Sequence, residues 1–114
     1  MHEFGIVEDI LATINKIATE QKFKKINRVT IQVGKLRQVI PENLQFAFSV
    51  LAENTIAANA QLVIDEIPIT IRCQSCNQKA TIADFTYICP HCNSSDLEIL
   101  TGKEIILETI EGEK

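Results

Sequence analysis

The chain has no tryptophan, one tyrosine, one methionine, two histidines, three prolines and four glycines among its 114 residues. So little glycine and proline excludes collagen-like and low-complexity chains. Without tryptophan, a core has to rest on isoleucine, valine, leucine and the five phenylalanines. Cations are scarce too: 11 Lys and Arg stand against 15 Asp and Glu, for a formal charge of −4. That balance weakens a nucleic-acid reading, because phosphate binding needs a basic patch that releases counterions. No apolar run approaches the roughly 20 residues that cross a bilayer. The opening Met1-His2-Glu3 lacks the basic stretch and apolar run of a signal peptide, so the expected location is the cytoplasm and no membrane partner is expected.

What is present fits one small globular domain's length. Hydrophobic residues make up 46% of the chain, which argues against disorder. Ile6, Val7, Ile10, Leu11, Ile14, Ile17 and Ala18 recur at helical spacing, with Glu8, Asp9, Asn15, Lys16 and Glu20 on the other face. Val29, Ile31 and Val33 then alternate with Arg28, Thr30 and Gln32 as a half-buried strand that ends at Gly34. Pro41 suits a first helical turn, Glu42 suits the positive end of a helix dipole, and Leu44, Ala47, Phe48 and Leu51 form the buried stripe of a second helix. A strand follows over 61–68. Strand, helix, strand implies a right-handed crossover with the two strands parallel. Beyond the cysteines, 97–101, a Gly102-Lys103 turn and a strand over 104–110 read as a hairpin.

Cys73-Gln-Ser-Cys76 and Cys89-Pro-His-Cys92 are two C-x-x-C pairs separated by 12 residues. Each tight turn presents two thiolates to one metal, and two turns face to face supply the four soft ligands of a closed tetrahedral zinc site. A closed site leaves no position for water, so its role is structural. In so short a segment metal binding replaces much of the missing core. Two disulfides are disfavoured where thiols stay reduced. A thioredoxin-like redox pair would open a helix, whereas Cys89-Pro-His-Cys92 leads into Asn93-Ser94-Ser95-Asp96, a turn-like stretch. His91 is read as a solvent-facing turn residue, since four thiolates already complete the tetrahedron.

The remaining histidine is residue 2. The α-amine of Met1, the backbone nitrogen of His2 and its imidazole can close adjacent chelate rings on one ion. Deprotonated amide nitrogen suits nickel(II) or copper(II) in a square-planar field, and Glu3 offers a further carboxylate. A histidine near the start carries little weight alone.

Met1-His2-Glu3-Phe4-Gly5-Ile6 resembles the opening of the HypA/HybF family of hydrogenase nickel-incorporation proteins. Val33-Gly34-Lys35-Leu36, Val39-Ile40-Pro41-Glu42, Leu44-Gln45-Phe46-Ala47-Phe48 and both cysteine pairs agree, in order and at compatible spacing. Gly5 departs from the Ser or Ala more usual there, and Lys35 and Arg37 are more basic than is usual before Pro41. The resemblance implies a nickel metallochaperone, not an enzyme, with His2 as the essential nickel ligand, backbone nitrogens and Glu3 completing the site. It implies delivery to the large subunit of a [NiFe] hydrogenase, together with a nickel-binding GTPase, and in some organisms service to urease accessory proteins. It leaves room for a homodimer.

The expected architecture is α/β (α+β): a small mixed three-stranded sheet with two helices, carrying an inserted four-cysteine zinc ribbon. Residues 1–69 and 101–114 form the nickel-binding part and 70–100 the zinc-binding part. The rival reading is a zinc-ribbon module for nucleic acid or protein without nickel function. Its surface would offer Arg72, Lys79, Phe85 and Tyr87 against Asp84, Asp96 and Glu98. No H-E-x-x-H helix, nucleophile elbow or phosphate loop supports an enzyme.

Overall fold

The computed structural model describes residues 3–83 and 87–114. In order, the elements are α1 (Glu3–Gln21), β1 (Lys25–Gly34), a 3-10 turn (Lys35–Arg37), α2 (Pro41–Leu51), β2 (Gln61–Ile67), β3 (Ile69–Cys73), β4 (Lys79–Ile82), β5 (Leu97–Thr101) and β6 (Ile105–Glu113). They form two three-stranded sheets, ordered β2-β1-β6 and β4-β3-β5. The chain divides into two compact units. One holds the residues up to Gln32 with Val39–Asp65 and Ile106–Lys114; the other holds Val33–Gln38 and Glu66–Ile105.

In the first unit, Ile6, Val7, Ile10, Leu11, Ile14 and Ala18 of α1 are buried, as the 3.6-residue period requires. Ile26, Val29 and Ile31 of β1 and Leu44, Ala47 and Phe48 of α2 complete the core. Helix α1 ends where Lys22 turns to φ 61° and the amide of Phe23 donates to the carbonyl of Ala18. Pro41 stands at the start of α2, where its missing amide leaves nothing unpaired. Arg28 reaches the Gln61 carboxamide with Nε and Nη2, at 3.4 and 3.3 Å. That contact links the fourth residue of β1 to the first of β2. On the other edge of β1, the Lys24 amide donates to Glu113.

In the second unit, β3 is central and antiparallel to both neighbours, with Ile71 opposite Ala80 and Ile99. Its core is small: Ile69, Ile71 and Ile82, with Leu36, Ala80, Leu97 and Ile99 against them. Strands β3 and β4, absent from the expected elements, carry no signal beyond short alternation. The expected hairpin over 97–110 is absent. Strand β5 pairs with β3 and β6 with β1, so the two belong to different sheets. The backbone at 102–104 is engaged elsewhere: Leu36 donates to the carbonyl of Gly102, Gly34 to that of Glu104, and Arg37 Nε to that of Lys103 at 2.6 Å. With its polar groups already satisfied, the segment has none to spare for a hairpin ladder.

This close approach explains Gly34. A Cβ there would run into the carbonyl of Gly102 and lie 2.6 Å from the Lys103 nitrogen, which is backbone that cannot swing aside. Gly5, in the first turns of α1, would meet nothing within 4 Å. Urea denaturation should therefore separate the two: Gly34→Ala is expected to destabilise by about 1–3 kcal/mol, and Gly5→Ala to stabilise by about 0.5–1 kcal/mol. Equal effects at both positions would refute the packing argument.

Candidate metal centre

Two turns of the same form build the cysteine cluster. In the first, the amide of Asn77 donates to the carbonyl of Cys73 (2.8 Å) and the amide of Cys73 to the carbonyl of Gln78 (2.9 Å). In the second, Asn93 donates to Cys89 (2.9 Å) and Cys89 to Ser94 (2.8 Å). Both turns close on an asparagine in the left-handed region, Asn77 at φ 59° and Asn93 at φ 63°. Asparagine tolerates that conformation better than most residues. The repeated signal is Cys-x-x-Cys-Asn, and its asparagine was the part missed in the sequence. The turns are joined by Ser75 Oγ to Ser94 Oγ at 2.9 Å and by the Gln74 amide donating to Asp96.

Folded this way, the Sγ atoms of Cys73, Cys76, Cys89 and Cys92 all lie within 4.8 Å of one another. Cys73 and Cys89 are buried, Cys76 is half-buried and Cys92 exposed. Sulfur pairs stand 3.5 Å (Cys73–Cys92) and 3.7 Å (Cys76–Cys89) apart. A disulfide needs about 2.05 Å, and all four cysteines are free. Zinc–sulfur bonds of about 2.3 Å imply sulfur–sulfur edges of about 3.8 Å in a regular tetrahedron. The donor set and its spacing fit such an ion.

The thiols are tuned unequally. The amide of Cys76 donates to the Cys73 sulfur and outweighs its burial. With further bonds from the Ser75 amide and the Cys92 and Cys76 thiols, it brings Cys73 down to about 6. At Cys92 the Ser94 amide acts in the same direction but is overruled. Hydrogen bonding to Cys73, desolvation, and the Cys76 and Cys89 thiols together push it up to about 12. Cys76 is helped by the Gln78 amide, yet ends raised through desolvation and the Cys73 and Cys89 thiols. Four sulfurs this close resist carrying four negative charges; a dication removes that resistance. His91 is exposed, and its backbone amide donates to the Cys89 sulfur at 3.4 Å.

Of the residues assigned to nickel, Met1 and His2 lie outside the described residues. Glu3, half-buried, opens α1, and its Oε2 accepts from the Ile40 amide at 3.4 Å. Asp84 and Phe85, named for a nucleic-acid surface, also lie outside the described residues. Arg72 of that surface pairs with Glu98 at 3.8 Å. Among the described residues no helix is long and apolar enough to cross a membrane.

A family model described as hydrogenase/urease nickel incorporation, metallochaperone, HypA matches residues 1–112. The hydrogenase maturation factor HypA of Picosynechococcus sp. is 40% identical over 111 residues, covering 97% of this chain and 98% of its own length. That of Moorella thermoacetica is 35% identical over 113 residues, covering 99% and 100%. The fold is that of the solution structure of the Ni metallochaperone HypA from Helicobacter pylori, with a TM-score of 0.71, 23% identity, and 99% and 98% of the two chains covered. The chain belongs to the HypA family of hydrogenase/urease nickel-incorporation proteins, which are metallochaperones and not enzymes.

Proposed function

We propose that this protein carries nickel(II) on its first residues and passes it on during maturation of [NiFe] hydrogenase, while a zinc ion held by Cys73, Cys76, Cys89 and Cys92 shapes the cysteine unit. The observation that carries the nickel reading is the family match over 1–112, together with the placement of the two histidines. One sits inside a cysteine turn; the other, His2, stands where an α-amine, an amide and an imidazole form one chelate. Glu3 supplies a further carboxylate. The nickel would belong to the unit that contains Val39–Asp65 and Ile106–Lys114, and the zinc to the unit of Val33–Gln38 and Glu66–Ile105. The partners are a nickel-binding GTPase and the hydrogenase large subunit, with urease accessory proteins where urease is also served, and the compartment is the cytoplasm.

A carrier has to hold nickel firmly enough to collect it and loosely enough to surrender it. Four thiolates would do the first and prevent the second. One imidazole and backbone nitrogens at a chain end can be dismantled by protonation or by a partner's ligands.

His2→Ala is expected to abolish nickel binding in a calorimetric titration while zinc content stays unchanged. An N-terminal extension, which blocks the α-amine and keeps the imidazole, should weaken nickel binding as well. Nickel bound at wild-type affinity by His2→Ala would dismiss the site.

For zinc, elemental analysis should find about one ion per chain, and Cys73→Ala should lower that content and lower the melting temperature. Because the bound form needs thiolates, and the Cys76 and Cys92 thiols lie above the ordinary range, binding releases protons. Zinc affinity should therefore fall as pH falls through the neutral range. Competition with a chelator at several pH values checks this, and a pH-independent affinity would count against thiolate ligation.

A further inference from the structure

Four of the eight large apolar side chains left exposed among the described residues lie on α1, α2 and the residue before α2: Phe4 (43% exposed), Ile40 (51%), Phe46 (62%) and Val50 (41%). The rings of Phe4 and Phe46 meet edge to face at 6.4 Å, so they form one surface feature. The Glu3–Ile40 hydrogen bond ties the start of α1 to the start of α2 beside it. Single exposed hydrophobic residues are ordinary; two packed aromatics flanked by further apolar side chains are the mark of a contact surface.

Acidic residues predominate along the helices beside this patch, with the cations Lys35 and Arg37 standing before Ile40. Helical spacing sets Glu8 one turn beyond Phe4, and Glu42 one turn before Phe46. Glu53 follows Val50 by three residues, just past the end of α2. With Glu3 and Asp9, five carboxylates stand in residues 3–15 and 38–60, which contain no lysine or arginine at all.

We propose that Phe4, Phe46, Ile40 and Val50, rimmed by Glu3, Glu8, Glu42 and Glu53, form a docking face for a partner protein that presents an apolar socket ringed by lysine and arginine. The inference rests on the nickel reading for its purpose: Phe4 is two residues from His2, so docking here would bring the nickel-bearing end against the receiving protein. A second copy of the chain suits the face poorly, since it would set the same five carboxylates against each other. An anionic membrane or a nucleic acid is repelled for the same reason. Attraction between the acidic rim and a basic one would raise the association rate, and the aromatic pair would hold the complex once formed.

The test uses the full-length, zinc-loaded protein and the nickel-binding GTPase of hydrogenase maturation from the same organism as the probe. Wild-type binding should weaken as salt is raised. Phe46→Ser and Phe4→Ser should each weaken binding by about tenfold or more, mainly through faster dissociation. Glu8→Lys with Glu42→Lys should slow association and flatten the salt dependence. Both aromatic variants should keep wild-type nickel affinity and circular dichroism, because the rings are exposed. That retention separates the docking face from the nickel site: loss of nickel binding by His2→Ala alone concerns the site, and loss of partner binding by Phe46→Ser alone concerns the face. Unchanged partner affinity in the double variant Phe4→Ser, Phe46→Ser would overturn the proposal. So would the absence of any wild-type complex, or sedimentation showing that the face is covered by a second copy.

Discussion

Four sulfur atoms within 4.8 Å of one another set the terms for the cysteine unit. Left to themselves they share protons unequally, Cys73 giving its proton up early and Cys92 holding it late. The unit's own core is three buried isoleucines with a few half-buried side chains around them. A core this small does not commonly hold a fold without a staple. The two cysteine turns, the β3 ladder that ends at Cys73 and the Ser75–Ser94 contact all converge on the sulfurs. An ion at their centre would serve as the missing core.

The helical part needs no such device. Helix α1 buries six side chains along one stripe, and the strands and α2 supply matching aliphatic surface. This contrast suits the proposed division between a fixed metal and a travelling one. Thiolate ligation gives a site that is closed and slow to open. Nitrogen ligands at a chain end give one that a partner can reach. Affinity alone would favour copper over nickel at such nitrogens, so selectivity has to come from the planar geometry and the metal supplied.

Much of this could be read from the residues, for identifiable reasons. The period of α1 and the Pro41 start of α2 are local signals, and both elements stand where they were expected. The two C-x-x-C pairs are local as well, which is why their convergence needed no structure to anticipate. Strands β3 and β4 went unrecognised because four or five residues of alternation are too few to stand out between cysteine turns. The hairpin over 97–110 was misread for a different reason. Gly102-Lys103 is a genuine reversal signal, but the partners of that backbone are Gly34, Leu36 and Arg37, more than sixty residues away in sequence. Neither Gly34 nor Gly102 announces the other. Only the fold reveals that Gly34 lies against the Gly102 carbonyl, and that Gly102 turns at φ +118° beside Ile69.

The position of the proposed nickel ligands relative to α1 has an electrostatic consequence of its own. Helix α1 begins at Glu3, so Met1 and His2 directly precede the end of the helix where unpaired amides gather positive charge. A dication held on the proposed ligands would meet that charge, at a cost of about 0.3–1 kcal/mol for each unit charge at an exposed helix end. Glu3, in the first turn, offsets it, and so does the negative charge that a deprotonated backbone nitrogen carries. The balance is adjustable. In the structure Glu3 accepts from the Ile40 amide; turned instead toward a dication on the proposed ligands, it would offset the helix charge. A site built for permanent occupancy would be better placed at the C-terminal end of a helix, where the dipole favours cations. The proposed placement at the opposite end, with Glu3 as the nearby carboxylate, suits a metal that is meant to leave.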